Sequence, residues 1–150
     1  MHMAKNTSKE PVIELKDVWK TYTMGENKVH ALKGLNLKIF EGEFVAIMGR
    51  SGAGKSTAMN LIGCLDIPSQ GQIFLNGKNI SHMSESQLAQ IRGKTIGFIF
   101  QKFNLINTLT PKENIMLPLM FQGVDNEQRE KKANELLTLV ELNDRKNHKP

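Results

Sequence analysis

The stretch FVAIMGRSGAGKST, residues 44–57, is the most informative part of the sequence for predicting the fold. Its first five residues are apolar without a break, which is typical of a strand covered on both faces in a parallel sheet. From Gly49 onward it fits the pattern G-x-x-x-x-G-K-[ST], in which glycines let backbone N–H groups turn toward phosphate oxygens. Met59, Ile62 and Leu65 recur at helical spacing and predict the core-facing side of a helix from Lys55 to Leu65, whose N-terminus adds its partial positive charge. The stretch therefore predicts a phosphate-binding loop between a buried strand and a helix.

The residue types of this loop suit a nucleoside triphosphate with magnesium. Lys55 is expected to bridge the β- and γ-phosphates, and the Ser56 hydroxyl is expected to ligate Mg²⁺. The residues expected to contact the phosphates are Gly49, Ser51, Gly52, Ala53, Gly54, Lys55, Ser56 and Thr57. The alternative, a glycine-rich turn with a surface lysine, is disfavoured by the strand and helix patterns on either side. The loop by itself indicates phosphate binding and leaves the reaction open.

Two stretches before the loop alternate apolar and polar residues. They lie within residues 12–18 and 35–39, and their period of two is typical of strands with one solvent-facing side. A turn around Gly25 separates them. We therefore expect an antiparallel pair ahead of the loop.

The segment after the first predicted helix carries hairpin and helix signals. Asn76-Gly77 is a strong turn signal, so residues 72–80 are expected to form a hairpin. Ser84 with Gln87 three residues later forms a capping box, which predicts the start of a second helix. The apolar residues 96–100 predict another buried strand.

Beyond residue 101 the pattern changes to helices. The run TPKE, residues 110–113, combines a threonine cap, proline at the first helical position and glutamate at the third, and Pro118 is expected to kink or end this helix. A further helix is expected from about residue 126 to 142, with Ala133, Leu136, Leu137 and Val140 on its apolar face.

The composition sets limits on the class of protein. The chain has 150 residues, of which 39% are hydrophobic, enough for the core of a single α/β domain. Its net charge is +5, but the basic residues are not interleaved with aromatic ones, so no nucleic-acid partner is expected. A single cysteine, Cys64, suits a reducing compartment, and it is expected to be a small buried residue on the core side of the first helix. No apolar run approaches the roughly 20 residues that cross a bilayer.

The sequence from Glu14 to Pro150 resembles the N-terminal part of the nucleotide-binding domain of ATP-binding cassette (ABC) proteins. The features that carry the resemblance are Lys20-Thr21-Tyr22, Leu32-Lys33-Gly34-Leu35, the phosphate loop, and Gly97-Phe98-Ile99-Phe100-Gln101. The resemblance implies that Tyr22 stacks on adenine. It also implies that Gln101 contacts Mg²⁺ and the attacking water, which makes Lys55 and Gln101 the catalytic residues, Ser56 and Gln101 the metal ligands, and ATP with Mg²⁺ the cofactors.

The resemblance also implies the architecture. It indicates an α/β fold with a phosphate-loop NTPase core of ABC type, an antiparallel β subdomain and the start of a helical subdomain, together an incomplete domain. We expect residues 1–11 to be a disordered segment or cloning remnant, residues 12–104 to form the β subdomain and part of the core, and residues 105–150 to belong to the helical subdomain. Closer likenesses, such as Gly63-Cys64-Leu65-Asp66, point to the lipoprotein-release and macrolide-export branch.

The chain departs from the family pattern in two ways. Arg50 stands where the family usually has proline, and Ala53 where it often has serine, although the glycines, Lys55 and Ser56 are intact. In addition, the signature Leu-Ser-Gly-Gly-Gln, the acidic strand end, the catalytic glutamate and the switch histidine do not occur before Pro150. The 150 residues alone are therefore expected to bind ATP and to hydrolyse it negligibly.

The function that the resemblance implies is the motor subunit of an ABC exporter. Its expected partners are a transmembrane permease subunit on a separate chain and a second nucleotide-binding domain, as a homodimer on ATP. Its expected location is the cytoplasm, at the inner face of the cell membrane. The alternative is a soluble ABC ATPase of the translation-factor or DNA-repair kind, whereas a small-molecule kinase with the same loop is disfavoured by the antiparallel hairpin ahead of the loop.

Overall fold

The alternating stretches around Gly25 form one long antiparallel ribbon in the computed structural model, which describes residues 10–100 and 104–149. Strand β1 runs Ile13–Met24 and strand β2 runs Asn27–Ile39. The antiparallel pairing expected from the sequence is confirmed. Both strands are longer than predicted, because the polar residues near the turn pair through their backbones although they bury little side-chain area.

The predicted hairpin after the first helix is also confirmed. Strand β3, Gln70–Leu75, turns back into the short strand β4, Lys78–Asn79, and the four strands lie in the order β2-β1-β3-β4. The turn residues Asn76 and Gly77 have φ angles of 47° and 74°. Two consecutive left-handed residues are the conformation of the tight hairpin turn that Asn-Gly favours.

Two helices add buried residues to the core that this sheet forms. Helix α1 runs Lys55–Ile62 and helix α2 runs Glu85–Thr95. The buried apolar residues are Leu15, Val18, Leu32, Ala58, Leu61, Cys64, Ile73, Ile80 and Leu88. The Ser84–Gln87 capping box at the start of α2 is present in both directions, as predicted.

The apolar face and the end of α1 differ from the prediction. The helix buries Ala58 and Leu61, whereas Met59 and Leu65, predicted for the core side, are about half exposed. The helix ends at Ile62 rather than Leu65, because Cys64 takes a left-handed conformation with φ 56°. Cys64 is nevertheless fully buried, as predicted.

The prediction of buried strands at residues 44–48 and 96–100 is wrong for the residues that the structure describes. Neither segment pairs with a strand there, and Phe44 is 99% exposed. Ile99 is likewise fully exposed. A parallel strand needs neighbours for its backbone groups, and the described residues form only the antiparallel sheet. Except for Ile96, which packs against the core of the first unit, these apolar segments are not buried among the described residues as strands of a parallel sheet would be.

The second compact unit begins at Gly97 and is helical. Helix α3 runs Pro111–Phe121, helix α4 runs Asn126–Leu139, and a 3-10 turn follows at Asn143–Arg145. The predicted Thr110–Glu113 capping box is present, and Pro118 lies inside α3 without ending it. Helix α4 buries Ala133 and Leu137 as predicted, whereas Leu136 and Val140, predicted for the same face, are 36% and 58% exposed. The division between Ile96 and Gly97 lies before the subdomain boundary expected at residue 104, since residues 97–100 join no strand of the described sheet.

Candidate phosphate-binding site

The loop from Gly49 to Thr57 curls through left-handed glycines into the first turn of α1. Gly52 and Gly54 have φ angles of 79° and 81°, and Gly54 caps the helix. A Cβ on Gly54 would collide with the Ala31 carbonyl oxygen and lie 2.9 Å from Leu32 Cδ2, both on β2. Glycine is therefore required here for its conformation and for its close approach to the ribbon.

The side chain of Lys55 closes the loop on itself. Its Nζ donates to the carbonyl oxygens of Gly49 at 2.9 Å and of Arg50 at 2.8 Å. None of the ion pairs found among residues 10–100 and 104–149 involves Lys55. The positive charge of Lys55 is thus hydrogen-bonded to neutral oxygens, and a bound anion could neutralise it.

The start of α1 adds further anion-binding character. The first turn of the helix contains no acidic residue, and the first N–H groups of any helix lack intrahelical partners. Ser56 is exposed, and Thr57 is half-buried. Residues 49–53 are exposed as well. The donors of this loop therefore suit phosphate oxygens, and the Ser56 hydroxyl is accessible to a metal ion.

Tyr22 lies on the same ribbon as the loop contact. It is 37% exposed, and its hydroxyl donates to Asp66 Oδ2 at 3.1 Å. The Lys20 ammonium lies over the ring, 5.1 Å from its centroid, and donates to Asp66 Oδ1 at 2.5 Å. In the ladder Lys20 is opposite Leu32, the residue that Gly54 contacts. The ribbon thus carries both the base-stacking candidate and the support of the loop.

The Asp66 carboxylate is stabilised in its charged form. Burial acts to raise its pKa, but hydrogen bonds from Lys20, from the Ile67 N–H and from Tyr22 outweigh burial, so the pKa lies below its ordinary value. Sequence reasoning did not single out Asp66 as a site residue. It is 46 positions from Lys20, and no local pattern could have joined the two.

Gln101, the last of the predicted site residues, lies outside the described residues, so its contact with Mg²⁺ stays a prediction.

Burial raises the pKa of the Cys64 thiol, although Arg92 nearby acts in the opposite direction. Arg92 Nη1 donates to the Cys64 carbonyl oxygen at 2.6 Å, at the edge of a cavity of about 240 Å³. No group of three or more histidine, cysteine or acidic residues that could hold a metal occurs in the part of the chain that the structure describes.

The glycine conformations, Lys55 and the start of α1 place the chain in the class of phosphate-loop proteins. The family model described as ABC transporter matches residues 32–150. The chain therefore belongs to the ABC transporter family, which confirms the resemblance and the α/β fold class drawn from the sequence.

Named relatives and solved structures agree with this assignment. An uncharacterized ABC transporter ATP-binding protein of Thermotoga maritima is 49% identical over 93% of this chain and 59% of its own length. The macrolide export ATP-binding/permease protein MacB of Wolinella succinogenes is 47% identical over 94% of this chain and 22% of its own length. A dimeric post-hydrolysis structure of the ATP-binding cassette MJ0796, bound to ADP and Pi, matches with a TM-score of 0.81 and 48% identity, over 92% of this chain and 61% of that chain. The MJ0796 protein of Methanocaldococcus jannaschii is itself an uncharacterized ABC transporter ATP-binding protein, 50% identical over 93% of this chain and 61% of its own length.

The chain spans 59–62% of the length of the first ATP-binding relatives that it matches. Among residues 10–100 and 104–149, no helix has both the length and the apolar character that a membrane crossing requires.

Proposed function

We propose that this chain is part of the ATP-binding motor of an ABC transporter, and that it holds the triphosphate of ATP on the loop from Gly49 to Thr57. The observation that carries the proposal is the loop itself: left-handed glycines lead into α1, and the Lys55 ammonium donates to two neutral carbonyl oxygens, with no acidic partner among residues 10–100 and 104–149. Such a loop lowers the free energy of a bound polyanion through backbone N–H groups, a lysine and a helix N-terminus.

Different residues would contact different parts of the nucleotide. The Lys55 ammonium would exchange its two carbonyl partners for phosphate oxygens, and backbone N–H groups from Gly52 to Thr57 would bind the remaining oxygens. Ser56 and Gln101 would hold Mg²⁺, which neutralises phosphate charge when bound. Tyr22 would offer its ring to adenine, since an aromatic face binds a base by stacking. The exposed Arg50 adds a cation at the loop where the family usually has proline.

Hydrolysis needs more than these residues. The 150 residues contain no Leu-Ser-Gly-Gly-Gln signature and span 59% of the Thermotoga maritima relative. Without a positioned base and an opposing signature, water is neither activated nor held in line. We propose that residues 1–150 alone bind ATP with negligible turnover, whereas the complete domain is an ATPase.

The proposed partners are a membrane permease subunit on a separate chain and a second copy of the ATP-binding domain. The names of the first three relatives mention ATP binding, whereas MacB is named as an ATP-binding/permease protein; the proposal of a separate membrane chain follows the first three. The dimeric cassette structure supports pairing of two copies. The proposed location is accordingly the cytoplasmic face of the cell membrane.

Co-purification tests the transport role against the soluble alternative. The natural-length protein, tagged and extracted from membranes with mild detergent, is expected to carry a multi-spanning subunit with it and to hydrolyse ATP. Recovery with ribosomes or DNA and without a membrane subunit would contradict the transport role. Measurable ATP turnover by purified residues 1–150 would contradict the claim that this part only binds.

A further inference from the structure

A hydrogen-bonded cluster joins the Tyr22 ring to the chain that follows α1. Both oxygens of the Asp66 carboxylate are used: Oδ1 accepts from Lys20 Nζ at 2.5 Å and from the Ile67 N–H at 2.8 Å, and Oδ2 accepts from the Tyr22 hydroxyl at 3.1 Å. Lys20 Nζ also donates to the Ile67 carbonyl oxygen at 2.8 Å. The Lys20 side chain is only 12% exposed and that of Asp66 26%. The ion pair is therefore sheltered and hydrogen-bonded on both sides.

This cluster restrains an otherwise exposed aromatic ring. Tyr22 is near the end of the ribbon where β1 turns into β2, opposite the half-exposed Val29, and an exposed tyrosine there can change rotamer. Lys20 is two positions earlier on the same side of the strand and places its ammonium over the ring. The hydroxyl is fixed at the same time by Asp66. The ring thus has a fixed orientation with one face in contact with a cation.

The same segment of chain is tied to the phosphate loop at its other end. Gly54, which caps α1, lies against Ala31 on β2, while Asp66, which follows α1, is bound to β1. The segment from Gly54 to Asp66 therefore contacts the ribbon at both ends. One contact fixes the position of the loop and the other fixes the position of the Tyr22 ring.

We propose that Asp66, together with Lys20, is a positioning residue for the nucleobase: it holds the Tyr22 ring at a set place relative to the phosphate loop, so that base and triphosphate bind together. The proposal rests on the proposed function, since it requires ATP on the loop and adenine on Tyr22. Asp66 acts only through Tyr22. Its contribution is therefore confined to the part of the affinity that depends on the base.

A double-mutant cycle in the natural-length protein separates this role from a general structural one. The variants are Asp66→Ala, Tyr22→Phe and both together, and the ligands are ATP and inorganic tripolyphosphate, each with Mg²⁺. Each single variant is expected to weaken ATP binding roughly three- to ten-fold, the equivalent of one hydrogen bond. The ATP affinity of the double variant should not fall below that of the single variant with the lower affinity, because both changes remove the same restraint. Tripolyphosphate binding is expected to stay unchanged in all three.

Amide substitutions supply the matched control. Glu14 lies on β1 and, like Asp66, is a carboxylate paired with lysine. Its partners are Lys16 and Lys38, and among the hydrogen bonds of residues 10–100 it has no contact with Tyr22. Asp66→Asn is expected to weaken ATP binding while Glu14→Gln leaves it unchanged. Equal loss of ATP and tripolyphosphate affinity in Asp66→Ala, additive effects in the double variant, or unaltered ATP affinity would each overturn the positioning role.

The wild-type protein distinguishes failure of this proposal from failure of the proposed function. If it does not bind tripolyphosphate, or if Lys55→Ala binds it equally well, the proposed function is wrong and the positioning role is wrong with it. If wild type binds both ligands through Lys55 while Asp66→Ala binds ATP like wild type, only the positioning role is wrong.

Discussion

Gly54 shows at the level of one residue why the loop has its sequence. It combines a φ of 81° with contact against the Ala31 carbonyl, whereas Gly52 has nearly the same φ, 79°, and open space around a Cβ. Gly54→Ala is expected to lower the free energy of unfolding by about 1–3 kcal/mol more than Gly52→Ala, because only the first adds a collision to the backbone strain. Urea unfolding of the two variants measures this. Equal losses would show that backbone strain alone accounts for the glycine.

Asp66 gives the protein a predictable response to acid. Because its pKa is lowered in the folded state, the carboxylate stabilises the fold above the unfolded-state pKa, and this stabilisation is lost as the pH falls through the folded-state pKa. The difference in unfolding free energy between wild type and Asp66→Asn is thus expected to be constant near neutral pH and to shrink below about pH 4. Unfolding curves of both proteins across this range test it. A difference that grows on acidification would contradict the assignment.

The residues of the loop and the residues of the cluster differ in how far sequence could predict them. The loop is continuous in sequence, and its glycines, lysine and serine have the spacing that its conformation requires. Tyr22 entered only through resemblance to a family. The contacts of Asp66 with Lys20 and Tyr22 could not be predicted from the sequence, because they join positions that are 46 and 44 residues apart.

Helix α3 is the clearest case of an element defined by its ends. Thr110 accepts from the Glu113 N–H, and the Glu113 carboxylate accepts in return from the Thr110 N–H at 2.7 Å. Thr110→Ala is expected to cost about 1 kcal/mol of unfolding free energy. Thr138→Ala in α4 is the control, since Thr138 is exposed and bonds only an intrahelical carbonyl among the described contacts. Thermal unfolding of both compares them; a Thr138→Ala loss as large as that of Thr110→Ala would argue against the cap.

Elements with local signals were predictable, and elements that need distant partners were not. Capping boxes and the Asn76-Gly77 turn depend on neighbours within four residues, and all of them form as expected. The segments 44–48 and 96–100 depend on strands that must lie beside them, and the described residues supply none. The prediction of the buried face of α1 was wrong for a related reason. The helix buries Ala58 and Leu61, and the helical period alone does not distinguish this face from the neighbouring one.

For the molecule as a whole, two observations are consistent with each other: apolar segments are exposed, and the chain spans only part of the length of its relatives. Phe44 and Met48 are 99% and 89% exposed on a segment whose composition suits burial on both faces. The chain also covers only 61% of the MJ0796 cassette structure that it matches. Its activity is therefore best tested at natural length.

The most direct test of the account is the affinity for ATP and its dependence on Lys55. Calorimetric titration with MgATP is predicted to show binding to wild type, and Lys55→Ala is predicted to weaken it about ten- to a hundred-fold through loss of charge-assisted hydrogen bonds to phosphate. Lys78→Ala removes an exposed lysine on β4 and is predicted to leave the affinity unchanged. Equal affinity of wild type and Lys55→Ala, or no binding by wild type, would contradict the assignment of the loop as the ATP site.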